Sequence, residues 1–479
     1  MSKKKKFVQA VTSRDEDFAR WYTDVVLKTD MVDYAPVKGC MVIKPYGYAV
    51  WENIQKIADK KFKDTGHENA YFPLLIPESF LKRESDHFEG FSPEVLWVTQ
   101  GGDQQLSERL LIRPTSETII CNMYSKWIQS YRDLPVLMNQ WCNVIRWEKT
   151  TRPFLRTAEF LWQEGHTVHE TTEEAHEEAL RMHEIYRQVA EENLAMPVIM
   201  GEKSEREKFA GANKTYTMEA MMYDGKALQA GTSHDLGQNF AKMFDIKFLG
   251  RDGKEQLGYS TSWGISTRLI GGLVMVHGDD RGLKMPPRVA PIQTVIIPIG
   301  LEKEGVREAA NEIFDRLHEE FRVKLDDREQ YSPGWKFNEY EMKGVPVRLE
   351  FGKREIEEGY ITAFRRDTLE KTKLSFENLE EELKTLLEDV QNNMFKMAKE
   401  RMDKKTKVYT DYEELKKMAD SDLGFGKVMR SGDLEDELKL KEETGLTIRC
   451  IPFEQEKLSD KCIISGKEAK YMVYVAKAY

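Results

Sequence analysis

Apolar positions along this chain recur with two periods, about every three to four residues and every second residue, in segments separated by polar turns. Near the start, Phe18, Trp21, Tyr22, Val25 and Val26 keep helical spacing behind Ser13-x-x-Glu16, a capping-box pattern that predicts a helix start at Ser13. Trp51, Ile54, Ala58 and Phe62 mark a second amphipathic helix leading into a predicted strand over residues 70–76. Thr171-x-x-Glu174 opens a third helix, and His169, His176 and His183 follow at heptad spacing. Glutamates surround these histidines and the zincin pattern is absent, so they read as a solvated helix face. Beyond a Pro- and Gly-rich linker at 281–291 the pattern changes. A strand at 294–299, a helix at 304–321, a strand at 345–351 and a long helix carrying Phe376, Leu379, Leu383, Leu386, Val390 and Met394 predict an α/β unit. The last stretch is charged and poor in apolar residues, and ends in a predicted strand at 471–476. The division expected is 1–283, 284–402 and 403–479.

A chain of 479 residues is expected to form two to four domains, and 40% apolar content is enough for their cores. A net charge of −10 argues against indiscriminate nucleic-acid binding, so an RNA partner would need local basic patches. Five cysteines without paired spacing point to a reducing cytoplasm. The basic start, Met1 to Lys6, is not followed by an apolar run, so no secretory leader is expected. No apolar stretch approaches the roughly 20 residues of a membrane helix, so no membrane partner is expected.

The densest chemistry lies in Arg146-Trp147-Glu148 and in Phe154 to His166, which set two arginines, acids, aromatics and a histidine among apolar residues. Each buried charge costs several kcal/mol unless it is paired or used, so a bare core hairpin would not carry this set. The segment reads as strand, turn over Lys149–Pro153, and strand. Trp162, Glu164 and His166 alternate on the second strand and therefore share one face. Such a hairpin suits a nucleotide: arginine for phosphate, carboxylate for an amino group, a ring for a base.

This segment resembles the motif 2 hairpin of class II aminoacyl-tRNA synthetases in its prolyl form. Leu111-Ile112-Arg113-Pro114-Thr115-Ser116-Glu117-Thr118 and Trp263-Gly264-Ile265-Ser266-Thr267-Arg268, the latter similar to motif 3, complete the match, and a motif 1-like stretch ends in Tyr71-Phe72-Pro73. The resemblance spans essentially the whole chain. It implies an α+β multidomain fold: a class II antiparallel sheet flanked by helices, an α/β anticodon-binding domain and a small α+β C-terminal domain. It also implies a cytoplasmic homodimer that activates L-proline with ATP and Mg²⁺ and transfers it to tRNA(Pro).

By resemblance, Arg146 bridges the α-phosphate and the substrate carboxylate, and Arg268 lies against adenine near the γ-phosphate. These two are the catalytic candidates. Glu148, Arg156, Thr157 and Phe160 match positions around adenine and phosphates, with Gln229, Thr232 and Ser266 completing the ATP set. Thr115 and Glu117 match an amine-binding pair, and Trp162, Glu164, His166 and His234 the rest of a proline pocket. Phe337, Glu341 and Arg348 are the anticodon candidates. Cys142, just before the hairpin, reads as packed. Many relatives with this C-terminal extension hold zinc on four cysteines; here only Cys462 and the isolated Cys450 are present, with Ser465 and Met429-Arg430-Ser431-Gly432-Asp433 at the other positions. No zinc or other protein-held metal is therefore expected. The terminal Tyr479 resembles one that reaches toward the active site. About 100 residues separate Glu164 from Arg268, too few for an inserted editing domain, so alanine and cysteine are expected to be misactivated. Two alternatives compete: a silent paralogue that only binds tRNA, disfavoured by retention of Arg146 and Arg268, and a threonine or glycine enzyme, disfavoured by the lack of a suitably placed cysteine and by the Thr115/Glu117 and Trp162/Glu164/His166 sets.

Overall fold

A computed structural model describes residues 11–80 and 95–479; the basic N-terminal segment lies outside the described residues. The main layer is an antiparallel sheet of β1 (Val136–Ile145), β2 (Glu159–His169), β3 (Val198–Glu202), β4 (Lys214–Met221), β5 (Ala227–Gly237) and β6 (Tyr259–Ser266). Their order is β3-β4-β5-β6-β2-β1, with the short strand Glu68–Asn69 parallel at the β1 edge. The helices Pro45–Asp64 and Thr172–Gln188 cover one face, where Trp51, Phe62, Tyr186 and Trp263 meet in the main core. The opposite face carries the polar residues discussed below. Among the described residues no helix is long and apolar enough to cross a membrane.

Several local expectations change. The first helix is Phe18–Lys28, capped by Asp17, whose carboxylate accepts from Arg20 N–H at 3.0 Å; Ser13 forms only a preceding turn. The strand expected over 70–76 is broken into Glu68–Asn69 and Leu75–Pro77, around Pro73, which has no N–H to give a ladder. The three histidines are not a solvated face. His169 ends β2 and is buried, and His183 is buried with Nε2 against the Thr217 carbonyl at 2.8 Å; burial takes both to pKa values of about 4, so they are neutral. Only His176 is partly exposed, beside Asp235 at 3.6 Å.

The second unit has a five-stranded sheet ordered Val323–Leu325, Thr294–Pro298, Val347–Phe351, Tyr360–Arg365, Lys371–Ser375, parallel for the first three and antiparallel for the last two. The helices Val306–Leu317 and Leu379–Lys404 share its larger core, and Tyr340 of Pro333–Met342 packs on the other side.

The C-terminal segment does not stand apart. Its strand β7 (Leu446–Pro452) pairs with β3 through Ile451–Glu202 and Pro452–Gly201. Tyr471–Lys477, Phe425–Arg430 and Thr406–Val408 then extend the main sheet to eleven strands. Where thiolates would have gathered a cation, a carboxylate gathers donors. Asp436 Oδ2 accepts from Ser431 Oγ and Ser465 Oγ, both at 2.6 Å, and from Cys462 Sγ at 3.4 Å. Burial pushes the Asp436 carboxyl up, but these three donors and Lys467 outweigh it and hold it below the ordinary range.

Asp436→Asn removes the charge on which the three donors converge. It is expected to destabilise the chain by about 1.5–3 kcal/mol in denaturant unfolding, while a chelator leaves the wild-type midpoint unchanged. A midpoint that falls in chelator, or an unchanged Asp436→Asn midpoint, would contradict this account.

Candidate active site

The polar face of the sheet carries a cleft of about 300 Å³. The register explains its lining. Trp162, Glu164 and His166 lie opposite Cys142, Gln140 and Met138 on β1, and opposite Ser266, Gly264 and Ser262 on β6. All therefore point to one face, and Gly264 leaves room above Glu164. Gln229 and Thr232 are three apart on β5, which would send them to opposite faces. The register shifts opposite Met218 and Glu219, so that Gly231 pairs with Met218 and Gln229 with Glu219, and Ala230 is the extra residue of a bulge. Both side chains thereby reach the cleft with His234.

Arg146 is fixed from behind. Buried Arg113 donates to the Asn143 and Phe72 carbonyls at 2.8 and 2.7 Å, and Arg146 Nε donates to the neighbouring Pro114 carbonyl at 3.0 Å. Its guanidinium lies 5.5 Å from the Phe160 ring and 5.4 Å from the Trp162 ring, deep in the cleft yet open to its solvent. Arg268 Nε donates to the Leu155 carbonyl at 3.1 Å. Desolvation and the charges of Arg146 and Arg156 pull its pKa to about 10, against Glu219 and Glu148, so it stays charged at neutral pH.

Glu164 accepts from Ser116 N–H (3.1 Å), Gln140 Nε2 (3.0 Å), His166 Nε2 (3.0 Å) and Cys142 Sγ (3.4 Å). Its acceptor capacity is used, so it orients His166, while Glu117 faces the cleft with an oxygen to spare. Thr115 Oγ1 donates to the other Glu117 oxygen. Burial pushes Glu164 up, but the His166 hydrogen bond and charge, with Ser116 and Gln140, leave it below the ordinary range. Burial pulls His166 down, but the bond to Glu164 and the charges of Glu117 and Glu164 leave it raised. His234 is the neutral counterpart: desolvation and the His166 charge lower it to about 3, Thr215 Oγ1 meets its Nδ1 at 3.0 Å, and Phe209 lies 4.7 Å away ring to ring. Cys142 is a packed thiol, pushed up to about 12 by burial and Glu164.

Thus the cleft gathers Thr115, Glu117, Arg146, Phe160, Trp162, Glu164, His166, Gln229, Thr232, His234, Ser266 and Arg268. Three expected residues lie outside it. Glu148 and Arg156 face each other at 3.9 Å on the hairpin rim, and Thr157 donates to the Glu159 carbonyl at 2.6 Å beside a separate apolar cavity behind Phe160. Lys203, Glu207, Phe209 and Thr215 line the cleft without having been foreseen.

Comparison with known proteins decides the family. The class II tRNA synthetase core domain (G, H, P, S and T) matches residues 97–277, the anticodon binding domain 293–386, and the prolyl-tRNA synthetase C-terminal domain 412–479. The proline–tRNA ligase of Alkaliphilus oremlandii is 63% identical over the full length of both chains. Proline–tRNA ligase 2 of Clostridioides difficile is 59% identical over 99% of each. The crystal structure of the Cryptosporidium parvum prolyl-tRNA synthetase complexed with halofuginone and AMPPNP has a TM-score of 0.94 at 40% identity, covering 98% of this chain and 99% of that one. The chain belongs to the prolyl-tRNA synthetase family.

Within the family's anticodon-binding domain, Arg348 lies 4.2 Å from the Phe337 ring and 4.1 Å from the Phe364 ring, and pairs with Glu350 at 2.7 Å. Glu341, one helical turn from Phe337, pairs instead with Arg281 at 2.8 Å. The terminal Tyr479 bonds its N–H to the Ala227 carbonyl at 2.9 Å. It lines a cavity of about 310 Å³ with Arg152, Arg156, Lys226 and Arg268, the last of which also lines the cleft.

Two outcomes follow. Gly165, between Glu164 and His166, faces the core, where a Cβ would stand 2.1 Å from the Trp263 ring. Gly165→Ala is expected to cost about 1–3 kcal/mol of stability and to shift β2 enough to weaken proline activation; wild-type stability would refute this. For the Glu164–His166 pair the sign is set by opposite shifts. Glu164, lowered, contributes above the ordinary carboxylate range of about 4.3 and loses that contribution as pH falls through its folded value. His166, raised, contributes below about 6.5 and loses it as pH rises through its folded value. The stability difference between wild type and His166→Gln should therefore be greatest near pH 5–6 and shrink toward alkaline pH in thermal unfolding.

Proposed function

We propose that the cleft makes prolyl-adenylate, with the residues in the following roles. Glu117, steadied by Thr115, takes the secondary ammonium of proline, and Trp162, Phe209 and the neutral His234 enclose the ring methylenes. Arg146 holds the proline carboxylate against the α-phosphate of ATP. A carboxylate oxygen bonds to the α-phosphorus while the bond to pyrophosphate breaks, so no protein nucleophile is needed and positioning and charge carry the step. Arg268 and Phe160 hold adenine and the phosphate end, with Gln229, Thr232 and Ser266 alongside; Glu148 and Arg156 act from the hairpin rim, and Thr157 supports Phe160 from behind. A hydroxyl of the terminal adenosine of tRNA(Pro) then attacks the prolyl carbonyl and AMP leaves, while Phe337, Glu341 and Arg348 read the anticodon.

As a proline–tRNA ligase the chain uses ATP, and Mg²⁺ would accompany the nucleotide. Among the described residues there is no cluster of three or more His, Cys, Asp or Glu able to hold a metal. The ion would come on the phosphates, with Gln229 and Thr232 as neutral protein oxygens, and would supply charge neutralisation. A homodimer is supported by the apolar groups exposed around the motif 1-like stretch: Tyr71 (73% exposed), Leu75, Trp97 and Trp127. All five cysteines are free thiols, which suits a cytoplasmic location.

The observation that carries this reading is the convergence of Arg146, Arg268 and the Thr115–Glu117 pair on one cleft. Proline-dependent ATP–pyrophosphate exchange tests it. Proline should support exchange far better than threonine or glycine, with alanine and cysteine weaker than proline by the few kcal/mol that missing methylenes supply, and Arg146→Ala should lower the rate about 10²–10³-fold. Exchange with none of these, in a protein that still binds tRNA, would favour the silent paralogue.

A further inference from the structure

The seam between β3 and β7 holds a buried ion triad that no substrate role explains. Glu219, on β4, is wholly buried. Its Oε1 accepts from Lys203 Nζ at 2.8 Å and Thr217 Oγ1 at 2.9 Å; its Oε2 accepts from Arg449 Nε at 3.0 Å and Nη2 at 2.9 Å. Lys203 also donates to the Arg449 carbonyl at 3.0 Å. The register places Glu219 opposite Gln229, so it stands on the cleft face of the sheet. Lys203 itself lines the cleft, beside Thr215, Phe209 and His234. Two cations and one anion thus meet in the cleft wall, and Arg449, on β7, is contributed by the C-terminal domain. With four donors on Glu219, that carboxylate has no acceptor left for a ligand and acts through its partners. Its charge is also one of the two that offset the repulsion Arg268 feels from Arg146 and Arg156.

We propose that Arg449 is a positioning residue for amino-acid activation: by clamping Glu219 it fixes Lys203 in the cleft wall and maintains the counter-charge of Arg268. The C-terminal domain is then part of the catalytic apparatus. The inference rests on the cleft being the site of adenylate formation.

Full-length Arg449→Met, Arg449→Lys and Asp436→Asn are compared with wild type by proline-dependent ATP–pyrophosphate exchange, with kcat and KM for ATP and proline resolved and corrected for folded fraction. Arg449→Met should lower kcat/KM for ATP about tenfold. Arg449→Lys, which keeps a cation but not the fork, should recover part of the loss. Asp436→Asn, which weakens the same domain away from the cleft, should lower the melting temperature yet leave kcat and KM within about twofold. Wild-type kinetics in Arg449→Met, or the same kinetic loss in Asp436→Asn, would overturn the proposal. If Arg449→Met does not fold, Arg449→Lys and Glu219→Gln decide: both should change kcat/KM for ATP several-fold, and wild-type values in both overturn it. Absence of proline-dependent exchange in wild type would instead overturn the reading of the cleft.

Discussion

Two guanidinium groups, Arg146 and Arg268, are held charged in one cleft, and much of the chain is arranged to make that tolerable. Burial lowers the pKa of both, and the charges of Arg146 and Arg156 lower Arg268 further. Left alone, such groups would repel one another and swing to water. Carboxylates oppose this from four places: Glu117 at the start of a helix, Glu148 on the hairpin, Glu164 on β2 and Glu219 on β4. The buried carboxylates need donors in turn. Glu164 finds them in Gln140, Ser116 and His166, and Glu219 in Lys203, Thr217 and Arg449. The polar face of the sheet follows from that chain of requirements. An anionic substrate then meets a field already oriented, without reorganising the protein around it.

Those requirements also separate what could be read from sequence and what could not. Trp162, Glu164 and His166 were legible because strand alternation alone puts them on one face, and the main helices were legible because their apolar stripes are long. Their roles came from resemblance, as did Gln229 and Thr232, since a bulge defeats the alternation that would have separated them. Lys203, Glu207 and Phe209 could not be found, because they lie at or just beyond the end of β3, where periodicity carries no signal. The histidines at heptad spacing misled for a related reason. His169 belongs to a strand and His183 to the buried side of its helix, so the even spacing spans two kinds of structure. Ser13 lost the cap to Asp17 although both sequences suit a helix start, which shows how little separates adjacent caps.

The C-terminal segment is charged and poor in apolar residues, and its own core is small, built on residues such as Leu415, Leu440, Ile448 and Val473. It solves the problem by continuing a sheet that already exists instead of closing its own. Only two residue pairs join β7 to β3. Backbone pairing that short sets register weakly by itself, and a slip by one residue would turn every side chain of the strand to the other face. The directional contacts of Arg449 with Glu219, and of Ser204 with Glu437 at 2.7 Å, forbid such a slip.

Buried ion pairs rarely stabilise more than well-packed apolar groups of the same volume, because desolvation consumes what attraction supplies. The seam therefore gains less in stability than in geometry: an apolar replacement could hold the strands together but could not say where Lys203 must stand. The Asp436 clasp has the same character, using one carboxylate oxygen to fix three separate points of chain, Ser431, Cys462 and Ser465. In both places polarity substitutes for bulk in a domain short of apolar residues. Because the triad lies on the cleft face, the precision it imposes on the seam is also imposed on the wall of the cleft.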